Sequence, residues 1–151
     1  MESTLALGTK EFWTQLTKEP ATLAKAVCTI DLVDLDTTLQ QHPALRAWIN
    51  AAHEVARIEE EKLKWEETRT RAAVLLAAHR LMDETTGKVK SVGVLTAEVD
   101  CDDMVQSIVE RLHKQQEIRA ALRAMANALE DRKDMLIQIA AKHRKESRDY
   151  Q

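Results

Sequence analysis

"DCDDMVQSIVERLHKQQEIRAALRAMANALEDRKDMLIQIAAKHRK", from Asp100 to Lys145, is the stretch of sequence that decides the fold. Its apolar residues recur in steps of four and three, which is the heptad pattern of a helix that packs along another helix. At 1.5 Å per residue, about 45 residues of helix extend about 68 Å. A rod of that length cannot fold onto a small globule. It must pack along a neighbouring helix, along another subunit, or along both, so we expect self-assembly.

The heptad positions of this helix are our candidates for contacts between copies of the chain. They are Val105, Ile108, Leu112, Leu122, Met125, Leu129, Leu136 and Ile139. Polar Gln115 and Arg132 interrupt the same stripe, which indicates a specified register, a wet groove or simply the edge of the stripe. The helix should begin near Asp100, because acidic residues suit a helix N-terminus and the basic last turns suit its opposite end.

A first long helix is predicted from Pro43, a residue favoured in the first turn, to about Glu84. An apolar stripe at helical spacing supports it, formed by Leu45, Trp48, Ala52, Val55, Ile58, Trp65, Ala72 and Leu76. The segment "ETTGKVKSVGV" then interrupts the pattern with Gly87 and Gly93 and is predicted to make the turn.

The residues before this hairpin indicate a small helical annex. One or two short helices are predicted, interrupted at Pro20, since a proline disfavours helix at the residue before it. The segment "VCTIDLVDLDTTLQQHP" is predicted to be an extended connector or short strand that ends in a helix start at Asp36. The expected fold is all-α: an annex and connector over residues 1–35, and a long antiparallel helical hairpin or coiled coil over residues 36–151, assembling into an oligomer.

Composition excludes several classes of protein. Charged residues make up 31% of the chain and the hydrophobic class 44%, which is typical of neither a disordered chain nor a membrane protein. The longest apolar run, "AAVLLAA", is far too short to cross a bilayer. Cys28 and Cys101 form no CxxC motif, and no secretion leader is apparent. We therefore expect a reduced, cytoplasmic setting without membrane contact.

The sequence carries no pattern that predicts catalysis, a metal or a cofactor. No GxxxxGK[ST] loop is present, and "HEVAR" at His53 places Arg57 where a second metal-binding histidine would stand. Paired carboxylates such as Asp102 and Asp103 are expected as helix caps. We expect a binding protein and not an enzyme.

Charge is distributed unevenly along the first long helix. Residues 54–67 carry three basic residues against six Glu, a net −3, whereas residues 69–90 carry five basic residues against two acidic ones, a net +3. The five are the candidate phosphate contacts: Arg69, Arg71, Arg80, Lys88 and Lys90. If an oligomer gathers several copies of this segment, it forms a positive collar suited to a nucleic-acid backbone. A second, weaker candidate is the basic C-terminal "KHRKESRDY".

Four segments, spanning residues 34–140, resemble the UvsY-type recombination mediators of bacteriophages in order and pattern. They are "DLDTTL", which leads into the first long helix, "LRAWINAAHEVARIEEEKLKWEETRTRAAVLL", which resembles that helix, "GVLTAEVDCDDMVQSI", which resembles the return segment, and "ALRAMANALEDRKDMLIQIA", which resembles the closing helix.

The resemblance implies a non-enzymatic mediator, in the host cytoplasm if phage-encoded. Such proteins form ring oligomers, bind single-stranded DNA coated by a single-strand-binding protein, and help to load a RecA-like recombinase. The family's DNA-contacting signature is a basic pair two residues apart, which falls here on Arg69 and Arg71. This chain departs from the family by having Arg at the first position instead of Lys, and by lacking the aromatics that follow. The pair could instead align around His79 and Arg80.

Two other interpretations remain open. A structural coiled-coil scaffold or adaptor without DNA binding explains the heptads and the acidic total equally well. A small phage inhibitor of a host protein is the third, since helical hairpins also serve that purpose.

Overall fold

The part of the chain that the structure describes contains five helices. The computed structural model describes residues 9–30, 33–79, 87 and 90–149. The helices are α1 (Lys10–Lys18), α2 (Pro20–Cys28), α3 (Leu35–His79), α4 (Val92–Asp100) and α5 (Asp103–Asp149). The described residues form no strand. The predicted all-α helical hairpin with a helical annex is confirmed, and the short strand considered for the connector is absent from its described part.

The annex consists of α1 and α2. Thr9 caps α1, its hydroxyl accepting a hydrogen bond from the backbone N–H of Phe12 at 3.3 Å. Glu19 leaves the helical conformation, and Pro20 begins α2 at the position where its missing N–H costs nothing. The predicted interruption at Pro20 is confirmed.

The first long helix starts at Leu35, one residue before the helix start predicted at Asp36. It continues through Pro43, so the separate start predicted for the long helix at Pro43 is wrong. The cause is Asp34, whose side chain accepts a hydrogen bond from the backbone N–H of Thr37 at 3.2 Å and so satisfies one of the free donors of the first turn. A proline interior to a helix removes one backbone hydrogen bond but does not end this one. The predicted end near Glu84 lies outside the described residues.

The second long helix begins at Asp103, and a separate short helix precedes it. Ser91 caps α4 through Val94, so residues predicted to lie in the turn, including Gly93, are helical. Asp102 caps α5 by accepting hydrogen bonds from the backbone N–H groups of Met104 and Val105 at 2.9 and 3.2 Å. Asp102, which was expected as a helix cap, is therefore the residue that caps α5, whereas the helix start predicted near Asp100 is three residues early.

The chain divides into two compact units. The first combines Met1–Val55 with Glu117–Gln151. Its core is made of side chains from the annex, α3 and α5: Phe12, Leu16, Leu23, Ile49, Leu122, Met125, Leu129 and Leu136. The annex docks through an aromatic cluster in which the rings of Phe12 and Trp48 meet edge to face with centroids 4.9 Å apart. Arg46 on α3 pairs with Glu130 on α5.

The second unit is Ala56–Gln116. Here α3, α4 and the first turns of α5 enclose a core of small and branched residues: Ala56, Ala78, Leu95, Val99, Val105, Ile108 and Leu112. The Gln115 side-chain amide donates a hydrogen bond to the Ala56 carbonyl at 3.0 Å, and Arg111 pairs with Glu66 at 3.0 Å. No described helix is long and apolar enough to cross a membrane.

The residues assigned to contacts between copies are in contact with their own chain. Seven of the eight are buried within it, and the remaining one, Ile139, is half-buried. The heptad pattern correctly indicated packing along a helix, but that helix is α3 of the same chain. An assembly of several copies therefore needs another surface.

Candidate nucleic-acid interface

Arg71, one half of the predicted basic pair, is held by two carboxylates. Its Nε lies 2.8 Å from Glu67 on the preceding turn, and one of its terminal nitrogens lies 2.5 Å from Asp100 at the end of α4. The hydrogen bonds to Asp100 and then to Glu67 raise the pKa of the guanidinium above its ordinary value. These contacts use the Nε and one terminal nitrogen of Arg71, and they fasten the end of α4 to α3.

Lys90 is engaged in a similar way. Its ammonium lies 2.6 Å from Glu98 in the last turn of α4, and most of its side chain is covered. Arg80 and Lys88, the other two predicted contacts near the turn, lie outside the described residues. Of the five candidates, two are therefore occupied by carboxylates of their own chain.

Arg69 differs from its neighbour. Because two positions on a helix turn through about 200°, it points away from Arg71 and away from the hairpin core. Its side chain is exposed and makes no ion pair or side-chain hydrogen bond within the described part of the chain. Trp65, one turn earlier on the same face, is 78% exposed. Within the described residues, the guanidinium of Arg69 has no ion-pair partner, and it lies one turn from the exposed indole of Trp65 on the same side of α3.

These two residues belong to a continuous surface, which we call the outer α3 face. It consists of Ile58, Lys62, Trp65, Arg69, Ala72 and Leu76. The spacing of four and three residues confines them to an arc of about 80°. The buried residues Ala56, Glu60 and Ala78 project from the opposite side of the helix. Helix α3 therefore has two apolar faces, and only the inner one is covered by the chain itself.

The outer α3 face is large and mixed in chemistry. Ile58 is 45% exposed and Leu76 64% exposed, values that are unusual for aliphatic residues in line on one helix. Lys62 lies among them and pairs with Glu59 at 2.5 Å. The predicted apolar stripe included Ile58, Trp65, Ala72 and Leu76, and all four are exposed. Periodicity alone did not show which of the two stripes on α3 would be covered by the rest of the chain.

A second feature is a buried cation in the first unit. Arg132 is only 8% exposed; it donates to the Thr29 carbonyl at 3.0 Å and lies 3.4 Å from Nδ1 of His42. Burial lowers the pKa of Arg132, and burial followed by the charge of Arg132 lowers the pKa of His42. The only sequence signal was a polar residue on an apolar stripe. This cluster joins the end of α2 to α3 and α5.

Elsewhere the described residues provide no set of three side chains that could hold a metal ion. No protein-family model, curated protein or solved structure matches the chain.

Proposed function

We propose that this chain is a non-enzymatic recombination mediator: a protein that binds single-stranded DNA as a ring oligomer and helps to load a RecA-like recombinase onto DNA coated with single-strand-binding protein. The observation that carries the proposal is the pairing of Arg69, without an ion-pair partner in the described residues, with the exposed indole of Trp65. The resemblance of residues 34–140 to UvsY-type mediators supports the class of function.

The chemistry of this pair suits a single strand better than a duplex. A guanidinium binds a phosphate through charge-assisted hydrogen bonds. An indole one turn away offers a surface on which an unpaired base can stack, and such stacking tolerates any sequence. Arg80 and Lys88, which follow α3 in the sequence, are proposed as further phosphate contacts. Arg71 and Lys90 support this proposed path for the strand indirectly, because their ion pairs with Asp100 and Glu98 hold α4 in place.

The acidic residues of α3 limit the length of the path. Glu59, Glu61 and Glu66 all lie on the first half of this surface or on its edges. These carboxylates repel a polyanion, so single-stranded DNA should follow the part of the outer α3 face from Trp65 onwards. Binding should consequently be weak at one subunit and depend on several subunits acting together.

The test is a titration of fluorescent oligo-dT with the wild-type chain at low and high salt. Arg69→Ala should remove one charge-assisted contact for each bound subunit, which is worth about 1.5 kcal/mol or about tenfold in affinity. It should also reduce the slope of log affinity against log salt by about 0.7 per subunit.

Arg123→Ala is the matched control, because Arg123 is also exposed and makes no ion pair within the described residues, but lies on α5. This substitution should leave the affinity unchanged. Equal losses for Arg69→Ala and Arg123→Ala would indicate diffuse attraction and remove the assigned site. No binding of oligo-dT at low salt by the folded wild-type chain would contradict the proposal.

A scaffold or adaptor without DNA binding is the second candidate, and a specific observation favours it. Ile58 and Leu76 are exposed aliphatic residues that contribute nothing to phosphate binding. Surfaces of this kind on a single helix commonly bind another helix. On this alternative, oligo-dT would show no affinity at any salt concentration.

A further inference from the structure

We infer that the outer α3 face binds the same face of a second copy of this chain, with the two α3 helices antiparallel. The inference goes beyond the proposed function, since it concerns what covers this surface when DNA is absent.

The first reason is that the face has the pattern of an interhelical seam. From Ile58 to Leu76 its members follow steps of four and three, so they remain in line over 18 residues, about 27 Å of helix. The seam lies opposite the buried inner residues, and the chain has no described element packed over it. A surface with this shape fits a helix, and the partner must supply a matching seam.

The second reason is that the seam is complementary to itself in one register. If residue 67 of each copy lies at a two-fold axis, Ile58 meets Leu76 of the second copy. Lys62, which is long, meets Ala72, which is small. Trp65 meets Arg69, an arrangement in which the guanidinium can lie over the indole ring. Because the two-fold axis repeats each pair, every member of the outer α3 face obtains a partner of suitable size or charge.

The third reason is the charge of the two halves of the helix. On the outer α3 face and its edges, residues 58–67 hold Glu59, Glu61 and Glu66 against Lys62, a net −2, while residues 68–79 hold Arg69 and no acidic residue, a net +1. Antiparallel helices place the acidic half of one copy beside the basic half of the other. In particular, Arg69 of one copy comes near Glu66 of the second, on the same edge of the seam.

A parallel arrangement is disfavoured by the same residues. It would place Arg69 beside Arg69 and Lys62 beside Lys62 in the seam, and it would align the two acidic halves. Like charges facing each other across a helix pair are destabilising. The reversal of charge along α3 therefore specifies the orientation of the partner. A second copy and a single strand cannot occupy Trp65 and Arg69 at the same time, so DNA binding on this face requires the pair to open.

Sedimentation velocity of the full chain over a range of concentrations, without DNA, tests association. The wild type should sediment as a multiple of the 17.1 kDa chain. Leu76→Glu should halve the mass of the assembly or raise its dissociation constant at least tenfold. The matched control is Met104→Glu, because Met104 is equally exposed, at 66%, but lies on α5. A monomeric wild type, or equal behaviour of the two variants, would overturn the inference.

Cross-linking tests the orientation. In a chain whose two cysteines are replaced (Cys28→Ala, Cys101→Ala), Ile58→Cys and Leu76→Cys are prepared separately and oxidised. The antiparallel register predicts a disulfide between subunits in the mixture, and little in either protein alone. Cross-linking of each variant with itself, at the expense of the mixture, would establish a parallel pair and contradict the inference.

These measurements are independent of the proposed function. An assembly that dissociates with Leu76→Glu but fails to bind oligo-dT would retain the inference and contradict the proposed function. An assembly that is unaffected by Leu76→Glu but binds oligo-dT would do the reverse.

Discussion

Arg69 and Arg71 show how two identical side chains two positions apart acquire different roles. Arg71 reaches two carboxylates, one of them 29 positions away in sequence, while Arg69 faces away from the hairpin. The sequence predicted that the two could not share a face. It did not predict the partner of Arg71, because Asp100 approaches only after α4 has folded back onto α3. Tertiary structure therefore determines that Arg71 holds α4 against α3 while Arg69 remains exposed.

His42 is the residue whose environment makes a prediction about pH. Its Nδ1 faces Arg132, so Nε2 carries the proton of the neutral ring, and that nitrogen has no hydrogen-bond partner. The groups that act on it are Arg132, Arg46 and Lys133, which oppose its protonation, and Glu130, which favours it. Burial is the largest cause of the lowered pKa.

The direction of the pH dependence of stability follows from the lowered pKa of His42. Between the ordinary histidine pKa of 6.5 and the lower folded value, the unfolded chain binds the additional proton, so stability must fall as pH falls through this range. Urea unfolding at pH 7.5 and pH 5.5 should show a smaller free energy of unfolding at the lower pH. His42→Gln, which keeps an acceptor for Arg132, should reduce that difference. An identical difference in the variant would assign the pH dependence to other groups.

Glu130 acts in a separate range. Its hydrogen bond from Lys133 lowers the pKa of this carboxyl below its ordinary value of 4.5. Any contribution of the carboxylate to stability is therefore lost only as the pH falls from 4.5 through the lower folded pKa. Unfolding measured between pH 5.5 and pH 7.5 thus reports on His42 without a contribution from Glu130.

At the scale of the helix, α3 carries two stripes and α5 carries one. The stripe of α5 was predicted to join copies of the chain, and the structure places it against the inner face of α3 and the annex. Periodicity identifies a packed face but does not say whether the neighbour belongs to the same chain. The predicted starts of the long helices differ from the observed ones because a sequence offers more residues able to cap a helix than the fold uses. The caps that the fold uses are Asp34, Ser91 and Asp102.

A core substitution on α5 tests this assignment. Leu129 is fully buried, and Leu129→Ala should lower the free energy of unfolding by about 2–5 kcal/mol through lost burial and a cavity. Because the contact is within one chain, the loss should be the same at all protein concentrations, as measured by urea unfolding. A loss that depends on protein concentration would place Leu129 at a contact between copies.

At the scale of the whole molecule, the described residues provide no cluster of side chains that could hold a metal ion, and one exposed helix face combines apolar residues with an unpaired guanidinium. The all-α hairpin with its annex was predictable because long heptad patterns have few alternatives. The proposed DNA-binding surface was only partly predictable: Arg69 was identified as a candidate contact from the sequence, while the exposure of Trp65 depends on which side of α3 the rest of the chain covers.

The most direct measurement of the central claim, that the outer α3 face binds single-stranded DNA, is the intrinsic fluorescence of Trp65. The other two tryptophans, Trp13 and Trp48, belong to the aromatic cluster of the annex. Oligo-dT added at low salt should quench the wild-type emission through base stacking, and 1 M NaCl should restore it. Trp65→Phe should retain binding, measured by anisotropy of labelled oligo-dT, but lose the quenching. Quenching that persists unchanged in Trp65→Phe, or binding that leaves the wild-type emission unaltered, would contradict the claim.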